Sequence, residues 1–78
     1  PMSHDPHQLL EEFPAKAEKI LKLKTSDPKF AQMFNDYHKL NHEIVEAEAN
    51  VHPTSDEILE DMKKKRLKML DAFSEILG

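Results

Sequence analysis

The chain is 78 residues long, with no cysteine, no tryptophan, one glycine and a net charge of −4 at pH 7. That length allows one domain (residues 1–78) with a core small enough to need a supplement. Without cysteine, disulfides, thiolate zinc sites and iron–sulfur clusters are excluded together, so self-association is the expected supplement.

The acidic total makes nucleic acid an unfavoured partner, because phosphate binding needs a net or strongly local positive field. No apolar run reaches the roughly 18–20 residues of a membrane span, and the polar start, residues 1–6, has no hydrophobic region of the kind a signal peptide carries. The expected location is the cytoplasm. Pro1 ahead of Met2 reads as a remnant of processing or cloning, with the natural start at Met2. Abundant Leu, Lys, Glu and Ala point to an all-α fold.

The first helical segment spans residues 6–24. Asp5 suits an N-cap, Pro6 the first helical position, and Gln8 completes a capping box. Leu9, Leu10 and Phe13 lie on one face until Pro14, which demands a kink or a short helix followed by a second one. Ala17, Ile20, Leu21 and Lys24 continue at three-to-four spacing, giving a narrow apolar face for the rest of the chain or another subunit.

A long helix over about 27–49 follows, with Ser26 or Asp27 as cap and Pro28 in its first turn. Phe30, Met33, Tyr37, Leu40, Ile44 and Ala47 hold a seven-residue repeat, and Phe34 widens the stripe. Asn50 suits a left-handed C-cap with Val51 packed back on the last turn, and Pro53 forbids continuation. Thr54 with Glu57 reads as a second capping box, opening a helix over about 55–77.

This last helix presents Leu59, Met62, Met69, Phe73 and Ile76 as its stripe, flanked by Ile58, Leu67, Leu70 and Leu77. So short a turn makes the two long helices antiparallel neighbours. The fold expected is an antiparallel, coiled-coil-like helical hairpin with a short, Pro-interrupted N-terminal helix. Its last helix is wider in apolar face than one neighbour can cover, so Ile58, Leu67, Leu70 and Leu77 form the expected interaction surface.

Several residues together resemble the YdcH-like family of small bacterial proteins. They are Phe13-Pro14, the run Leu23-Lys24-Thr25-Ser26-Asp27, Phe30, Phe34 and the Tyr37 to Leu40 region. The turn Pro53-Thr54-Ser55-Asp56-Glu57 and the run Met62-Lys63-Lys64-Lys65-Arg66-Leu67 are the most specific parts, and the resemblance covers nearly the whole chain. It implies an α-helical hairpin and carries no activity, cofactor or partner. Asn50 stands where many relatives have Gly, and His38 and His42 fall outside the family pattern.

Three constellations could carry chemistry. The run Lys63-Lys64-Lys65-Arg66, extended by Lys68, is split by the helix, where neighbours are separated by about 100°. Solvated flanks snorkelling over the seam explain it better than a weak nucleic-acid edge, which would want aromatic interleaving. Arg66 falls in the middle of the apolar stripe and must be paired or reach solvent. Folding about the turn brings it opposite the Tyr37 to Asn41 region, so Asn41 and Arg66 are expected to meet within the hairpin or across a subunit boundary. Such seam polars set register and oligomeric state.

His38 and His42, four apart, have the spacing of a two-histidine metal site, with Glu46 continuing the row and His4 and His7 as further donors. Lys39 stands where a zinc protease has Glu, and the pair lies towards solvent, so ordinary solvated histidines compete with a metal-responsive module. The four serines include none in a Gly-flanked elbow, and no glycine is available for a phosphate loop. The expectation is a non-enzymatic, cofactor-free hairpin that self-associates and presents a helical surface to a protein partner. The metal-responsive module and the lysine-edge nucleic-acid binder are its alternatives.

Overall fold

A computed structural model describes residues 5–49 and 54–78, which are helical apart from short connections, with no strand among the described residues. Four α-helices follow in order: α1 (Leu9–Glu12), α2 (Ala17–Ser26), α3 (Pro28–Glu48) and α4 (Asp56–Leu77), with a 3-10 turn over Pro14–Lys16 between the first two.

The chain start departs from its local signals. α1 begins at Leu9 rather than Pro6, with Gln8 as N-cap and the Gln8 N–H donating to Glu11 Oε1 at 3.2 Å. Asp5 does not cap, because its carboxylate is 2.7 Å from His42 Nδ1. His7 takes the left-handed region at φ 62°, which costs an L-residue about 1–2 kcal/mol. That turn brings the His7 carbonyl to the Tyr37 hydroxyl. Pro14 acts as its ring requires: α1 stops at Glu12, Phe13 leaves the helical region at φ −130° and ψ 62°, and a 3-10 turn starts at the proline and feeds α2.

α2 runs two residues beyond the expected 24, to Ser26. Thr25 and Ser26 bond back to carbonyls in their own helix, and Asp27 alone caps α3, accepting from the N–H groups of Lys29 and Phe30 at 3.0 and 3.3 Å. On α3, the buried Phe30, Tyr37, Leu40, Ile44 and Ala47 follow the expected stripe, while Met33 and Phe34 are half-buried. Phe34 is covered by Lys24, whose ammonium sits 4.4 Å from the ring centroid.

The left-handed cap at Asn50 and the packing of Val51 lie outside the described residues. α4 starts one residue later than its sequence signal. Ser55, not Thr54, is the N-cap, accepting from the Ile58 N–H at 3.2 Å. The third helical position is then Ile58, so a box with Glu57 has no geometry to close, although Asp56 and Glu57 still lie at the positive end of the helix dipole.

The core joins all the elements. Leu9, Ile20, Phe30, Tyr37, Phe73 and Leu77 form one buried cluster. Phe73 meets the Phe30 and Tyr37 rings edge-on, with centroids 5.5 and 5.8 Å apart. Each such side chain removed from water contributes about 1.5–3 kcal/mol. Contacts between α3 and α4 run in opposite order along the two helices: Phe30 meets Phe73, Asn41 meets Arg66 and Glu48 meets Lys63.

Two apolar assignments on α4 change. Ile76, expected in the stripe, is 43% exposed, whereas Leu77, expected on the interaction surface, is 1% exposed. Ile20 of α2 joins Leu77 in the core cluster and Lys19 donates to the Leu77 carbonyl at 3.1 Å, so the N-terminal segment draws the buried face round towards Leu77. Leu70 is likewise packed, half-buried, against the core.

Candidate functional site

Tyr37, His38, Asn41 and His42 form two adjacent rows on one face of α3, because residues four apart lie one above the other on a helix. All four reach residues 5–9. The Tyr37 hydroxyl donates to the His7 carbonyl at 2.5 Å, and Asn41 Nδ2 donates to the Pro6 carbonyl at 2.6 Å. His38 Nε2 accepts from the Leu9 N–H at 3.2 Å, and His42 Nδ1 lies 2.7 Å from the Asp5 carboxylate. Arg66 completes the set from α4, its Nη1 donating to Asn41 Oδ1 at 2.8 Å.

Asn41 is fully buried, and both ends of its amide are used. A guanidinium can only donate and a backbone carbonyl can only accept, so the amide orientation is dictated by its neighbours. Asn41 and Arg66 are brought together within one chain, and the amide links three segments: residues 5–9, α3 and α4.

His38 is not the solvated residue that its position away from the apolar stripe suggested. It is half-buried, with its ring 4.3 Å from Phe34 and 5.2 Å from Tyr37, centroid to centroid. Accepting the Leu9 N–H requires an unprotonated Nε2, which places the proton on Nδ1, where it donates to the Phe34 carbonyl at 3.0 Å. Both nitrogens are thereby used. His42 is exposed and lies between Asp5 and Glu46. The two histidines share a helix face but do different work. Among the described residues no group of three or more His, Cys, Asp or Glu side chains is arranged to hold a metal ion. His4 lies outside the described residues, and His7 faces Glu12 at 3.4 Å.

The electrostatics follow this geometry. Burial pushes the Tyr37 phenol up to about 12; the Glu12 carboxylate adds to the rise and Arg66 opposes it. The hydrogen bond to Asp5, then the charges of Asp5 and Glu46, hold the His42 imidazole above its ordinary value. Lys63, 2.8 Å from Glu48, holds that carboxyl below the usual range. This ion pair also takes Lys63 out of the basic run, whose other lysines are exposed around α4.

A second feature lies on the other side of the α3–α4 pair. An open groove of about 710 Å³ is floored by Leu40, Ile58, Met62 and Met69 and rimmed by charged side chains. Of the expected interaction surface, Ile58 stands in this groove at 55% exposed, and Leu67 is 60% exposed on the opposite side of α4. Met62 and Met69 both line the groove, and Met69 also packs against the core, as its seam spacing assigned it. Sequence reasoning also missed the polar role of Tyr37 and the Lys19 contact. The available signal was a row of polar residues, 38, 41 and 42, beside an otherwise apolar stripe.

A sequence profile of the family described as "Protein of unknown function (DUF465)" matches residues 30–77, that is, nearly all of α3 and the whole of α4. The "Uncharacterized protein YdcH" of Escherichia coli (strain K12) is 32% identical over 65 residues, covering 83% of this chain and 88% of that protein. The protein of the same description from Shigella flexneri matches to the same extent.

The chain belongs to the YdcH-like family.

No solved structure matches it. The profile spans both walls of the groove and the Asn41–Arg66 bond, whereas residues 5–9, on which the polar row of α3 closes, precede the matched stretch. The Escherichia coli relative, with 65 residues aligned, extends the likeness of this YdcH-like chain beyond those two helices. No helix among the described residues is long and apolar enough to cross a membrane.

Proposed function

We propose that this YdcH-like chain is a non-enzymatic protein-interaction module of the bacterial cytoplasm. Its α3 and α4 act as an antiparallel, coiled-coil-like hairpin that associates with a second copy of itself. The observation that carries this reading is the outward face of α4, where Ile58 and Ile76 remain 55% and 43% exposed after the N-terminal segment has packed. A chain this short gains most from burying such a face on another chain.

A structural role for the polar residues supports the same reading. Tyr37, His38 and Asn41 bond to backbone atoms of residues 6–9, and His42 to Asp5. They fasten the N-terminal segment and are not turned towards a substrate space. Light scattering over a range of protein concentration tests the proposal. The expected result is a mass that rises from one chain to a defined multiple. A mass fixed at that of one chain from micromolar to millimolar protein would contradict it.

A further inference from the structure

We infer that the groove between α3 and α4 is the seat of the second copy, with α4 of each chain lying antiparallel to α4 of the other. The inference rests on the self-association proposed above and names its contact surface.

The groove is left open by the way the chain folds. Asp36, Lys39 and Glu43 on its α3 wall centre about 140° round the helix from His38, Asn41 and His42, at about 100° per residue. Those three hold residues 5–9, so the N-terminal segment is committed to the far side. On α4, Ile58, Met62 and Met69 in the groove floor recur at spacings that return to the same face, and the exposed Ile76, beyond the groove, continues that face. Two of the four are methionines, whose unbranched side chains adapt to a partner's surface.

The charges of the groove select the occupant. Each wall carries both signs: Lys39 and Glu43 on α3, Asp61 and Lys65 on α4. None of these four makes an ion pair or hydrogen bond among the described residues. A partner of one sign would be repelled by half of them, whereas a second copy brings the complement of both. In a two-fold contact each residue meets its counterpart's partner reciprocally. The midpoint between Asp61 and Lys65 on α4 nearly coincides with the midpoint between Ile58 and Met69. One antiparallel alignment of α4 with its copy therefore places Asp61 against Lys65 and Ile58 against Met69, twice each. Charge and apolar patterns agree on a single register.

Charge exchange tests this directly. Asp61 and Lys65 are exposed, so Asp61→Lys and Lys65→Glu are expected to keep the circular dichroism of the parent chain. Each variant alone sets like charges against each other twice, and its association at low salt is expected to weaken about tenfold. An equimolar mixture restores opposite pairs, as does the double variant Asp61→Lys/Lys65→Glu. Both are expected to recover parental association by sedimentation. Two results would overturn the groove while leaving self-association standing: unchanged association of the single variants, or a loss that neither mixing nor the double variant repairs. A parent chain that stays monomeric throughout overturns both.

Discussion

Side chains placed by helical periodicity bring α3 and α4 together, whereas residues 5–9 meet α3 chiefly through backbone atoms at turns no local pattern announces. The first region has Phe30 against Phe73 and one polar pair, Asn41 with Arg66. The second has the carbonyls of Pro6 and His7, the N–H of Leu9 and a left-handed His7, each answered by a side chain about thirty residues away. Residues 5–9 place one side chain, Leu9, in the core and otherwise hold α3 by single polar contacts. Segments with few buried apolar contacts sit at the low-stability end of a structure. The N-terminal segment is therefore expected to open without loss of the α3–α4 pair. Two regions of one small chain thus differ in stability.

The largest effect tests whether the regions share a core at all. Phe73 is fully buried against Phe30 and Tyr37 and in one cluster with Leu9 and Ile20. Phe73→Ala is expected to cost about 3–5 kcal/mol in urea unfolding and to loosen both regions together. Loss of the N-terminal segment alone would mean that Phe73 does not join them.

Asn41 is the next test, since its amide serves both regions. Asn41→Ala leaves the Pro6 carbonyl and the Arg66 guanidinium without this partner, and the expected cost is about 1–3 kcal/mol. Arg66→Leu keeps the Asn41–Pro6 bond and is expected to preserve helicity. Because Arg66 pairs within its own chain, it is also expected to leave the oligomeric state unchanged. A changed oligomer would show Arg66 reaching the second copy.

Tyr37 isolates a single bond between the regions. Tyr37→Phe removes the hydroxyl donated to His7 and is expected to cost about 0.5–1.5 kcal/mol. Because its phenol is pushed up to about 12, the unfolded chain ionises first as pH rises past 10. Stability from this group is whole below pH 10 and falls between there and about 12. Tyr37 is the only tyrosine and there is no tryptophan, so near-ultraviolet absorbance reads this ionisation alone. Ionisation at the ordinary value of about 10 would place the hydroxyl in solvent.

His42 gives the smallest effect and the sharpest local one. Its affinity for the proton is raised by Asp5, so its contribution is full below the ordinary histidine value of about 6.5 and is lost as pH rises through the raised value. Asp5→Asn is expected to bring the His42 titration, followed by NMR, back towards ordinary and to flatten this pH dependence. An unaltered titration would break the contact between Asp5 and α3.

The same contrast explains what could be read in the sequence. Asp27-Pro28 marks the start of α3 because cap and proline act within one turn, and the α3 stripe follows because helical spacing needs only its own residues. Asn41 and Arg66 stand out because polar groups on apolar faces require an answer. Asp5, by contrast, carries a sound local cap signal that His42 overrides, and Tyr37 shows its ring in the pattern but not the carbonyl its hydroxyl will meet. The exchange of Ile76 for Leu77 has the same origin. Two adjacent residues of α4 are separated by which face α2 covers, and that is settled only when the chain closes on itself.

α3 thus has one face committed to its own chain and another that borders the groove left for a second one. Methyl NMR tests that division most directly, because Met62 and Met69 lie in the groove. As protein concentration rises, the methyl signals of both are expected to move together along the isotherm obtained from light scattering, while the Tyr37 ring signals stay in place. A rising particle mass with Met62 and Met69 unmoved, or with Tyr37 moving in their stead, would contradict it.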